Sequence, residues 1–139
     1  MNIIKVTPDL QVSIHTFPKG NTREEMKALA ELIGCHTVEH VMPELLYSEL
    51  GMHCDPYKPD SLTASMLVDE DGLAKELPLN PIGSYLYGTQ LHGSPILGTI
   101  LFIGEELTED GPSFCGLSDE AFEKLLPQIK KMVQLANEV

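Results

Sequence analysis

The 139-residue sequence has no tryptophan and only three cysteines, Cys35, Cys54 and Cys115. An odd number cannot all pair internally, and no CxxC or other ligand spacing joins them, so they read as free thiols rather than as a disulfide framework or structural zinc site. Long hydrophobic runs are missing too. The most apolar stretch, around SPILGTILFIG, is far shorter than the ~20 residues that span a bilayer. The N-terminal MNIIKVTPDL is broken by Lys5, Pro8 and Asp9 and lacks the run that a signal peptide needs. These absences point to a soluble protein of the reducing cytoplasm.

Positive charge is equally scarce. Nine Lys and Arg stand against 21 Asp and Glu, a formal net charge of −12. Such a chain repels nucleic acid and anionic lipid, so the expectation is no direct nucleic-acid partner and no membrane. Acidity also serves solubility alone, and that reading competes with recruitment of a partner. With 42% hydrophobic residues the chain is too apolar for disorder, and its length fits one domain spanning residues 1–139. Near this size a single core suffices without a disulfide or metal staple.

Short β-branched runs at 2–6 and 10–17, separated by Pro8 and Asp9, predict a hairpin. NTREEMKALAELIG predicts a helix over about 22–33, with a capping box between Thr22 and Glu25 and a left-handed cap at Gly34. CHTVEHVM at 35–42 reads as a short strand ending at Pro43. Residues 43–62, with a helical turn and then HCDPYKPDS, read as a surface excursion. LTASMLV at 62–68 predicts a strand, DEDG a turn with Gly72 at positive φ, and LAKELPLN a short returning strand. PIGSYLYG predicts one or two helical turns opened by proline. PILGTILFIGEE predicts a central strand from about 96 to 103. A final helix over 117–137 begins at Ser118 as N-cap, with Asp119 and Glu120 favoured by the helix dipole and Pro127 expected to kink or break it. The fold class is therefore α+β, a mainly antiparallel or mixed sheet with two main helices packed on it.

SMLVDEDGLAKELPLNPIGSYL, then ILGTILFIGEE, then LSDEAFEKLL resemble the small bacterial and phage family known as domain of unknown function 3846. The resemblance rests on Asp69 to Gly72, Leu77 to Asn80, Gly98 to Gly104 and the helix ending AELIG. It implies a small α+β fold and a frequent home in phages and mobile elements, and it implies no chemistry. The 43–62 excursion and the extended C-terminal helix look like departures from the family pattern.

Candidate chemistry is thin. Cys35, His36, His40, His53 and Cys54 fall close in sequence, but neighbours on a strand face opposite ways, and His36 and His40 would stand ~13 Å apart. No metal, cofactor or catalytic residue is assigned. Asn80 looks like turn chemistry. The sharpest feature is acidic: Glu105, Glu106, Glu109, Asp110, Asp119, Glu120 and Glu123 lie between 105 and 123 with no base among them. The leading expectation is a non-enzymatic protein-binding module, a phage or mobile-element inhibitor of a host nucleic-acid-binding defence protein of anti-CRISPR or anti-restriction type, acting by charge mimicry. Its partner-binding residues are Glu105, Glu106, Glu109, Asp110, Asp69, Glu70 and Asp71. The alternative is a small ligand- or metal-binding domain or enzyme with His53, Cys54 or Tyr57 at the mouth of a pocket under the 43–62 segment. Homodimerisation, by docking of the final helix on its copy, stays open.

Overall fold

A computed structural model describes residues 1–138. The chain runs β1 (Asn2–Val6), β2 (Val12–Thr16), α1 (Thr22–Ile33), β3 (Val38–Val41), α2 (Glu44–Leu50), β4 (Ser65–Asp69), α3 (Pro81–Tyr87), α4 (Thr89–His92), β5 (Ile100–Thr108), β6 (Gly111–Cys115) and α5 (Asp119–Asn137). Every strand pairing is antiparallel, in the order β2-β1-β5-β4-β3, with β6 joined to β5. The fold is thus a single α+β domain whose sheet is antiparallel rather than mixed.

Strand alternation sends successive side chains to opposite faces, and both faces of the middle strands are apolar. Ile3, Leu67, Leu101 and Ile103 meet Leu29 and Ile33 of α1 on one face. Ile4, Val6, Met66, Val68, Ile100 and Phe102 meet Leu46, Ile82, Leu86, Leu125 and Ile129 from α2, α3 and α5 on the other. That double covering explains why β4 is buried at all five residues and carries Met66, Leu67 and Val68 in succession rather than an apolar–polar alternation. The two main helices lie on opposite faces of the sheet.

Several local expectations shift. The α1 cap is Asn21, not Thr22: its side chain accepts from the Glu24 amide at 2.9 Å, and the Glu24 carboxylate answers its N–H. Asn21 has the extended backbone that an N-cap needs, so the box forms one residue earlier. The 43–62 segment is not merely a surface excursion, because Leu46 and Met52 are buried in the core. LAKELPLN is no strand. It coils through backbone bonds from Lys75 to Asp71 and from Leu77 to Gly72, and only Leu79 bridges, to Leu97. Gly72 keeps a negative φ. A Cβ there would meet the Leu97 carbonyl oxygen at 3.3 Å, so close approach rather than turn geometry favours glycine. The central strand starts at Ile100, beyond the left-handed Gly98, and extends to Thr108 because β6 continues its ladder. Helix α5 continues through Pro127 without a break.

Candidate partner-binding surface

β5 pairs with β1 through Ile100–Phe102 and with β4 through Leu101–Ile103. Beyond that point its ladder is with β6 alone, from Gly104↔Cys115 to Thr108↔Gly111. The β5–β6 hairpin therefore carries Glu105, Glu106, Glu109 and Asp110 out past the body of the sheet. Its tip is a two-residue loop, Glu109 and Asp110. Thr108 closes that loop by donating its hydroxyl to the Gly111 carbonyl at 2.7 Å and accepting from the Asp110 amide at 3.2 Å. Gly111 has φ +104, a conformation side chains rarely adopt, and so belongs at this position.

The acids of the hairpin do not form one face. Glu105 and Glu106 are strand neighbours and point to opposite sides. Glu105 lies beside its register partner Phe114, half-buried, where the buried Ser65 hydroxyl donates to its carboxylate at 3.1 Å. Thr63 holds the same residue by its backbone, donating to the Glu105 carbonyl at 3.0 Å and accepting from its amide at 3.2 Å. Phe114 meets the His40 ring edge-on at 5.1 Å. Thr22, Met26, His40, Glu105, Asp110 and Phe114 are among the residues around a depression of about 640 Å³ between the hairpin and α1. Glu106 points away from it, and its charge adds to burial in pushing the Cys115 thiol up to about 12.

Asp69, Glu70 and Asp71 lie elsewhere. The β4–β5 register, Ser65↔Ile103 to Leu67↔Leu101, places Asp69 level with Thr99. Six residues separate that level from Glu105, roughly 20 Å along the strand. The Asp69 carboxylate is committed to the fold. Its side chain is 2% exposed, accepts from Lys75 Nζ at 2.6 Å, and accepts from the Asp71 amide at 2.8 Å. That bond holds the Lys75 ammonium above its ordinary range. Glu70 and Asp71 are exposed.

The residues of the alternative reading are occupied locally. His53 Nδ1 accepts from the Asp55 amide at 3.1 Å, which leaves Nε2 to donate to Asp60 at 2.5 Å. The Leu62 amide and then His53 hold the Asp60 carboxyl below its ordinary range. Tyr47, half-buried in α2, donates to the Ala64 carbonyl just before β4 at 2.9 Å, and burial raises its phenol. Cys54 Sγ lies 3.7 Å from Met42 Sδ, and Tyr57 is exposed. Among the described residues, no three or more His, Cys, Asp or Glu side chains gather as a metal site. No described helix is long and apolar enough to cross a membrane.

The motif residues behave differently from the acids. Asn80 is wholly buried and ties three segments together. Its Nδ2 donates to the carbonyls of Val6 at 3.0 Å and Gly98 at 2.9 Å, and its Oδ1 caps α3 by accepting from Gly83 at 3.0 Å. Gly98 has φ +85, and a Cβ there would meet Leu77 Cδ1 at 2.8 Å. Sequence reasoning read Asn80 as turn chemistry. The signal that finds it is an Asn directly before Pro81 and a helix, an N-cap pattern.

Comparison with protein families matches residues 43–133 to Domain of unknown function (DUF3846). The chain belongs to this family. The matched region takes in the 43–62 segment and α5 as far as Val133. The AELIG end of α1 lies outside the match, as do β1, β2 and β3. No curated protein and no solved structure matches the chain. Within the DUF3846 region, the motif residues Asp69, Asn80 and Gly98 hold the scaffold together.

Proposed function

We propose that this chain is a non-enzymatic protein-binding module that offers the β5–β6 hairpin to a basic surface of another protein, a nucleic-acid-handling enzyme of the kind that a phage or mobile element must inhibit. The observation that carries the reading is the hairpin itself. Glu106, Glu109 and Asp110 are exposed on a two-stranded projection, and among the described residues none of them is held in an ion pair. Carboxylates held at the end of a rigid ladder enter a cationic channel without paying to order a loop, and complementary potential accelerates the encounter. Glu105 differs in kind. Anchored by Ser65, it sets the base of the projection and supplies charge from within the depression next to Phe114.

The test is charge reversal at the exposed positions alone. A Glu106→Lys, Glu109→Lys, Asp110→Lys variant should retain the parent circular dichroism spectrum and melting behaviour. In a tagged pull-down from host lysate with nuclease present, a nucleic-acid-binding protein should be retained by the parent at low salt, released at high salt, and absent from the variant. A partner retained equally by the folded variant would remove the hairpin from the interface and with it this reading.

A further inference from the structure

A sheet edge is an open row of backbone donors and acceptors, and proteins blunt such edges with charge, proline or brevity. β3 is four residues long, carries Glu39 and is closed by Pro43 two residues on. β6 carries Pro112. β2 is closed in the same way by Pro18, but within the strand itself VSIHT contains no Lys, Arg, Asp, Glu or Pro.

The hydrogen-bond phase of β2 is fixed at its two ends. Phe17 N–H donates to the Met1 carbonyl at 2.9 Å, and Thr7 N–H donates to the Gln11 carbonyl at 3.0 Å. Antiparallel pairs alternate, so Ser13 and His15 spend their backbone groups on β1, while Val12, Ile14 and Thr16 turn theirs to the free edge. Ile14 also leaves its side chain 47% exposed.

We propose that β2 is the edge through which two copies of this chain join, antiparallel, about a two-fold axis at Ile14. In that register Ile14 exchanges both backbone bonds with Ile14 of the other copy, and Val12 pairs with Thr16 on either side. The two isoleucine side chains cover one another. Ser13 stands opposite His15 of the other copy, and these two side chains already form a compatible pair within the strand, Oγ to Nε2 at 2.9 Å. The charge distribution supports a second copy at this edge. In a chain of −12, residues 1–20 hold Lys5 and Lys19 against Asp9 alone. Repulsion between two such acidic copies is therefore least here. This surface is independent of the β5–β6 hairpin.

Sedimentation velocity on the full chain in 0.15 M salt, over a hundredfold range of concentration, should show a species of twice the 15.3 kDa chain mass. Ile14→Lys places like charges on the axis at an exposed position and should weaken dimerisation at least tenfold with unchanged circular dichroism. Ile14→Cys should cross-link under mild oxidation, since Cα atoms of such pairs lie ~5.5 Å apart and disulfides span about 4.4–6.8 Å. A monomer at every concentration overturns the proposal. So does a dimer that survives Ile14→Lys, or one abolished by Leu135→Lys on the exposed side of α5.

Discussion

Replacing Asn80 with alanine should unfold this domain more readily than any surface change, because one side chain serves three segments that are distant in sequence. The cap on α3 contributes about 1 kcal/mol. The two Nδ2 bonds go to carbonyls in the interior, and leaving such an acceptor without its donor costs about 1–3 kcal/mol each. The sum, about 3–7 kcal/mol, is a large share of the roughly 5–15 kcal/mol that holds a domain together. At a urea dependence of about 2 kcal/mol per molar, the unfolding midpoint falls by about 1.5–3.5 M. Asn80→Asp separates the contributions. It keeps the acceptor that caps Gly83 but turns a carboxylate oxygen toward the Val6 and Gly98 carbonyls. Burial beside two acceptors raises that carboxyl's folded pKa above its unfolded value. The variant is therefore weakest at neutral pH and recovers as pH falls, when protonation restores one donor. The assay is urea denaturation followed by circular dichroism at pH 7 and pH 5. A midpoint within about 0.5 M of the parent for Asn80→Ala would refute the assignment of Asn80 to the scaffold.

Gly98→Ala forces a side chain into a left-handed conformation and against Leu77 Cδ1 at 2.8 Å, so its thermal midpoint should drop by several degrees. The same substitution at Gly93, where φ is +81 but the space is open, should cost less, which isolates the steric part. The Cys115 thiol, buried and raised to about 12, should resist iodoacetamide at pH 8 in the native state and react on unfolding, as read by peptide mass spectrometry. Rapid native labelling of Cys115 would mean that the β6 end of the sheet opens.

The elements legible in the sequence are those that local patterns decide. The opening hairpin, α1, α3 and α5 announce themselves through β-branched runs, helical periodicity and caps, and α5 starts at Ser118 as its cap pattern says. What local patterns miss is decided by distant partners. β5 extends to Thr108 because β6 returns to pair with it, so residues read as a solvated acidic run are strand residues whose neighbours face opposite ways. Leu46 and Met52 look like part of a loop over the surface, yet the sheet face beneath them needs covering. The seven acids named together from the sequence separate for the same reason. Asp69 is spent on Lys75 at one end of the sheet, while the hairpin acids project from the other.

The geometry of the two proposed surfaces constrains how they work together. The registers Ile14↔Ile4 and Ile4↔Phe102 put the β2 axis level with Phe102 of β5. From there to Glu109 is seven residues, roughly 23 Å along the strand. A two-fold axis perpendicular to the sheet reverses strand direction, so the hairpins of two joined copies point opposite ways. Five strand spacings also separate the two β5 strands, roughly 24 Å sideways. The tips then lie on the order of 50 Å apart. One channel long enough to hold a single hairpin does not reach the second. Pairing at β2 would therefore supply no avidity toward a single partner site, and each copy would engage a partner of its own. Charge reversal on the hairpin and Ile14→Lys on the edge accordingly probe separate properties, and the loss of one leaves the other to be read.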